Sequence, residues 1–186
     1  ARHHTCCAEV LSGLSGVLDP ERLARHLLEA GERTPAAPLL LQAAQQRADA
    51  GLFLQAQRLL DQLTDILGRP RGRPDLLHGQ VLTLRAHVLT HLGRRREARA
   101  AWTEAGELAG HIGPPAIAVR AQHGLAGVIT ELDGQRAAVP LLRAALADAE
   151  QRAPGQLGPV AFSLSNVLWT LGEVDEAHAL MRRALD

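Results

Sequence analysis

The chain has 186 residues but no lysine and no tyrosine, and its aromatic residues are two Phe and two Trp. That scarcity excludes a core held together by aromatic stacking. The 46% apolar content must instead build its core mainly from Ala and Leu, whose small volumes let helices approach closely. A chain of this length buries roughly 70% of its unfolded surface, enough for an ordinary core. All 20 basic residues are Arg, and 20 acidic residues balance them to zero formal charge. Without a net positive charge the chain is not expected to bind nucleic acid, which needs a basic face to neutralise phosphates. Arg in place of Lys, beside abundant Ala, Gly and Pro, fits a GC-rich genome. The two cysteines, Cys6 and Cys7, are adjacent and give no disulfide framework, so a reducing cytoplasm is expected. No apolar run approaches the ~20 residues that span a bilayer, so no membrane partner is expected. The opening ARHHTCCAEV lacks the apolar core of a signal peptide. A start at Ala1 and a stop just after a helical repeat suggest a piece of a longer protein.

What the chain does have is one pattern written four times. Ala56, Ala98, Ala138 and Ala177 each follow a turn. Four residues after them stand Leu60, Trp102, Leu142 and Met181, and three further on Leu63, Ala105, Ala145 and Ala184. Twelve residues before them stand Ala44, Ala86, Ala126 and Ser165. Every column is spaced by 42, 40 and 39 residues. A near-fixed period of this size is the signature of a solenoid, in which each helix pair buries its apolar face on its neighbours. The expected fold is therefore all-α, a right-handed solenoid of about ten helices: two lead-in helices, then four antiparallel pairs.

Helical periodicity runs almost end to end, and nothing alternates as a strand over more than a few residues. A first helix is expected over 3–13, then a Gly/Ser-rich break. Asp19 caps a second helix, with Pro20 and Glu21 in its first turn and Gly31 as a left-handed stop. These make a lead-in over 1–34. The repeats follow at about 35–67, 75–110, 114–152 and 155–186, turning at Ala50-Gly51, Leu92-Gly93, Asp133-Gly134 and Leu171-Gly172. GRPRGRP, residues 68–74, reads as a solvated loop. Pro140 falls early in the second helix of repeat three, where a missing donor costs little. Residues 1–186 are read as one structural domain.

The segments AGLFLQAQRLL, LGRRREARAAW, LDGQRAAVPLL and LGEVDEAHALM resemble tetratricopeptide repeats over about 35–186. The period exceeds the usual 34 residues by five to eight. The aromatic after the turn survives as Phe53, with Arg95, Gln135 and Val174 in its place elsewhere. Elongated repeats of this kind look like those that follow the nucleotide-binding module of large bacterial signalling ATPases, beside DNA-binding, kinase or cyclase domains. ERLARHLLEAGERTPAAPLLLQAA, residues 21–44, looks like the helical lead-in found there. The resemblance implies a non-catalytic protein-binding or sensor module, with any ATP site outside this chain.

The residues themselves carry no catalytic motif: no GxSxG, HExxH or CxxC occurs, and Gly68-x-x-x-Gly72 lacks the Lys of a phosphate loop. No cofactor is expected. His3, His4, Cys6 and Cys7 are ligand types, but five consecutive helical residues cannot place four ligands tetrahedrally. His87, His91 and His123 are a second possible metal set, and a histidine-based metal or enzyme fragment is the competing reading. A structural spacer is a third. Arg94, Arg95, Arg96 and Arg99, with Arg69, Arg71 and Arg73, make either a basic edge or a solvated turn. His26 is expected to pack beside Leu23 and Leu27.

In tetratricopeptide repeats the first helix of each pair lines a concave groove. Carried through the repeats, that face gives Gln45 and Asp49; then Gln80, Thr83, His87, Thr90 and His91; then Arg120, His123, Thr130 and Glu131; then Phe162, Asn166, Trp169 and Thr170. The row is polar with an aromatic end, suited to a peptide or protein segment that gains hydrogen bonds and apolar burial. At the other end of the chain, no polar capping helix follows residue 186. Leu180, Met181 and Leu185 are expected to be partly uncovered, and either to support a homodimer through the last helix or to be covered by further repeats of the native protein.

Overall fold

A computed structural model describes residues 19–68, 75–112 and 114–185, and every regular element among them is helical. Two compact units divide the chain, Ala1–Gly72 and Arg73–Asp186. The helix expected over 3–13 and the loop at 69–74 lie outside the described residues.

In the first unit, α1 runs Pro20–Ala30, α2 Arg33–Asp49 and α3 Phe53–Leu67. Asp19 starts α1 as expected: its side chain accepts from the N–H groups of Glu21 and Arg22 at 3.1 and 3.4 Å, offsetting two otherwise unpaired helix donors. Gly31 ends α1 in the left-handed conformation, φ 92°. Helix α2 packs on both α1 and α3. Its buried side is small, with Ala36, Ala37, Ala43, Ala44 and Ala48 around Leu40. Helix α3 answers with Ala56, Leu59, Leu60 and Leu63. Small against large is what lets these axes come close without voids. The Arg47 guanidinium donates to Glu21 at 2.8 Å, tying α2 to α1.

The second unit stacks three antiparallel pairs: α4 (Leu76–His91) with α5 (Arg95–Ile112), α6 (Pro115–Leu132) with α7 (Gln135–Arg152), and α8 (Leu157–Leu171) with α9 (Val174–Leu185). A 3-10 turn, Pro154–Gln156, leads into α8. Each helix packs on the next, and α4 also packs on α6. The fold is an all-α solenoid of TPR-like helix pairs. Each pair turns on a glycine that needs positive φ, Gly93, Gly134 and Gly172 at 74°, 92° and 88°.

The repeating columns form the core. Ala86, Ala126, Ala98, Ala138, Ala105 and Ala145 are all fully buried, and Ser165 is 3% exposed. Ser165 satisfies its hydroxyl by donating to the Ala177 carbonyl at 3.0 Å. Trp102 passes so close to α6 that a Cβ on Gly124 would lie 2.3 Å from its ring. The indole N–H donates to Thr90 Oγ1 at 3.1 Å, so a large polar-tipped ring is buried with its donor paired.

Pro140 is the sixth residue of α7, past the four donors a helix leaves free, so it removes a ladder bond. The helix nevertheless continues. Pro140 and Arg136, whose carbonyl loses its ladder partner, are both exposed, so the lost bond is not buried in the core.

Candidate functional site

The first helix of each pair in the second unit presents an outward row, which the sequence reading assigned to a groove. Gln80, His87 and His91 are exposed on α4, Arg120 and Glu131 on α6, and Phe162, Asn166, Trp169 and Thr170 on α8. Thr83 departs from the expectation. It is 5% exposed and donates to the Gly79 carbonyl of its own helix at 2.7 Å. Gly79 is itself buried beside it. Thr90 and Thr130 are half-buried and likewise turned back onto carbonyls one turn earlier, at 2.8 and 2.9 Å. Gln45 and Asp49 are exposed on α2 in the first unit, where the Gln45 amide donates to the Asp49 carboxylate at 2.7 Å.

The histidines do not converge. The rings of His87 and His91 meet edge to face, 4.4 Å apart. His123 is turned elsewhere: its Nε2 lies 2.7 Å from Ser163 Oγ on α8, in a half-buried contact between consecutive repeats. Burial holds the His123 pKa below the ordinary histidine value, so the ring is neutral at pH 7. The described residues contain no trio of His, Cys, Asp or Glu placed to hold a metal. His3, His4, Cys6 and Cys7 lie outside the described residues.

A His–Ser pair at this distance is of nucleophile–base type, but Ser163 sits in the interior of α8. The backbone N–H groups around it belong to the helix ladder and are not free to stabilise an oxyanion. The pair is better described as a polar clip between α6 and α8.

The aromatic end is the most unusual part of the row. Phe162 is 51% exposed and Trp169 56% exposed, on the outward side of α8. His178 of α9 lies against the Trp169 indole, with ring centroids 5.3 Å apart. His178 and Ser163 escaped the sequence reading. Ser163 could have been found, because it stands in a column with Leu84 and Gly124 where a hydroxyl has nothing apolar to add. His178 gave no such signal.

Three of the four arginines after the α4–α5 turn are held in ion pairs, and Arg96 is exposed. Arg94 pairs with Glu97, and Arg95 with Glu131. Arg99 reaches Asp133 at 3.1 Å in the next turn. The same kind of link recurs from α7 to the last pair, where Arg143 meets Glu176 at 2.9 Å, and Arg183 returns to Glu150. Arg69, Arg71 and Arg73 lie outside the described residues.

At the end of α9, Leu180 is 5% exposed and belongs to the core with Leu142, Leu164 and Leu168. The expectation that it lies open is therefore corrected. Its side of α9 faces α8, which already covers it. Met181 is half-covered. The side chain of Leu185 lies outside the described residues.

No family model matches the chain. No curated protein matches it by sequence. Solved structures do share its fold. One is aspartyl phosphate phosphatase F from Bacillus subtilis, with TM-score 0.79 and 15% identity over 98% of this chain and 48% of that one. Another is a Rap protein complexed with competence and sporulation factor, with TM-score 0.74 and 16% identity over 99% and 57%. A third is a putative kinesin light chain with nearly identical TPR-like repeats from Podosopora anserina, with TM-score 0.59 and 18% identity over 89% and 91%. The chain thus spans about half the length of the first two. No helix among the described residues is long and apolar enough to cross a membrane.

Proposed function

We propose that this chain is a non-catalytic protein–protein interaction module of a larger bacterial signalling protein, a transcription regulator or a kinase- or cyclase-linked ATPase working in the cytoplasm. Its second unit takes a peptide or protein segment along the outward row of α4, α6 and α8. The observation that carries this reading is the exposure of Phe162 and Trp169, 51% and 56%, in a chain with only four Phe and Trp residues. Large aromatic side chains left half in water lose the burial that would stabilise them, and on binding surfaces they supply the anchors. Asn166 between them offers an amide donor and acceptor to a partner's backbone. The Rap protein structure, of like fold, holds a named factor, which supports reading such a row as a binding surface.

The test is a pull-down with this chain as bait, followed by reconstitution from purified components. The double variant Trp169→Ala, Asn166→Ala is expected to lose the specific partner. If every specific partner binds wild type and variant equally, the row is not the binding surface, and a structural spacer becomes the better reading.

A second reading rests on Met181. Its column mates Trp102 and Leu142 are 4% and 2% exposed, whereas Met181 is only half-covered. In the preceding pairs a following helix packs over this region. We propose that α9 supports a homodimer through this position. Light scattering on wild type and Met181→Glu decides it: a wild type monomeric at high concentration, or a dimer untouched by the change, places no contact here.

A further inference from the structure

The outward row of α6 and α8 has an unequal charge account, and that account says what kind of segment it takes. Helix α8, LGPVAFSLSNVLWTL, carries no charged residue. Helix α6, PAIAVRAQHGLAGVITEL, carries only Arg120 and Glu131 besides His123. Glu131 is already neutralised by Arg95, and His123 is neutral against Ser163. Arg120 is exposed and holds no ion pair among the described residues. The two helices thus present one uncompensated positive charge beside two exposed aromatic rings. Arg94, Arg95, Arg99 and Arg143, by contrast, each hold an acidic partner of this chain.

Resting on the proposed binding row, we infer that its occupant is an extended peptide segment with one acidic side chain next to a bulky apolar one, and a second bulky apolar side chain about three residues further on. The spacing follows from helix geometry. Phe162 and Trp169 are seven residues apart, about 10 Å along α8 at 1.5 Å per residue, which an extended chain covers in about three residues. His123 and Phe162 occupy the same column, 39 residues apart, and His123 touches the neighbouring Ser163. Arg120 stands one helical turn before His123, so it lies beside the Phe162 end of the row, away from Trp169. A carboxylate there accepts a charge-assisted, bidentate bond from the guanidinium. The apolar residues cover the aromatic faces, and Asn166 lies between them for the segment's backbone.

The probe is a random twelve-residue peptide library displayed on phage and selected against the purified chain, with selected peptides resynthesised and titrated by fluorescence anisotropy. Enriched peptides are expected to hold Asp or Glu beside a Leu, Ile, Phe or Trp, with a second such residue about three positions on. Arg120→Glu should weaken an enriched peptide at least tenfold, and exchanging the peptide's acid for Lys should restore binding to that variant. Arg120→Gln should weaken it without that rescue. Arg120 is exposed, and circular dichroism checks that each variant is folded. If peptides bind and lose affinity on Trp169→Ala, but Arg120→Glu changes nothing, the acidic segment is wrong and the interaction reading stands. If no peptide is enriched, or those enriched ignore both changes, the binding row itself fails.

Discussion

The two tryptophans sit in equally helical surroundings and do opposite work. Trp102 is 4% exposed, wedged between α5 and α6 over Gly124, with its N–H on Thr90. Trp169 is 56% exposed on the outward side of α8, touched by His178. The difference lies in which column each occupies. Trp102 stands where Leu142 stands one repeat later, at the seam between pairs, and Gly124 clears the space its ring needs. Trp169 stands where Thr90 and Thr130 stand, at the edge of the outward row. One ring contributes to folding, and the other is left available.

Removing each ring tests that division most directly. Trp102→Ala should destabilise the chain by about 3–5 kcal/mol, because removing a large buried ring leaves a cavity and takes away the bond that Thr90 Oγ1 accepts from the indole. Chemical denaturation monitored by circular dichroism measures it, and a loss under about 1 kcal/mol would contradict the seam assignment. The mirror experiment, Trp169→Ala, should leave folding stability within about 0.5 kcal/mol while weakening a bound segment by about 2 kcal/mol, roughly thirtyfold. A stability loss comparable to that of Trp102→Ala would make the two rings equivalent and dissolve the comparison.

The clip between α6 and α8 gives a pH test. His123 has a folded-state pKa below its ordinary value because burial penalises the imidazolium. The unfolded chain therefore takes up the proton first, and stability should fall as pH drops below about 6.5 toward the folded pKa. Replacing His123 by Gln should flatten that part of the stability–pH curve. An unchanged slope between the two would show that other groups produce it. The smallest effect is expected at the ion pairs between repeats. Arg143→Ala removes contacts to Glu173 and Glu176 that are about half exposed, so it should cost at most about 1 kcal/mol, less in high salt.

The repeat columns were legible from residue types alone, because close packing of helices demands small side chains at fixed positions and turns demand Gly at positive φ. Ala86, Ala126, Ala98 and Ala138 mark the core by residue type and spacing. The cap at Asp19 and the stop at Gly31 were legible for the same reason: their physics is local. The outward row was legible only in outline. Helix periodicity places Thr83 and His123 on the same side as Phe162, yet both turned inward to partners.

What the sequence determined by itself is the period, the helix pairs, their turns and the small-residue seams, since each follows from contacts within a few residues or from strict repetition. Tertiary structure alone decided that Arg95 and Arg99 are spent on Glu131 and Asp133, that His123 closes on Ser163, that Leu180 is covered by α8, and that Arg120 is left over. Those pairings join residues some 34 to 40 apart. They depend on how one pair is rotated on the next, and no local periodicity encodes that rotation.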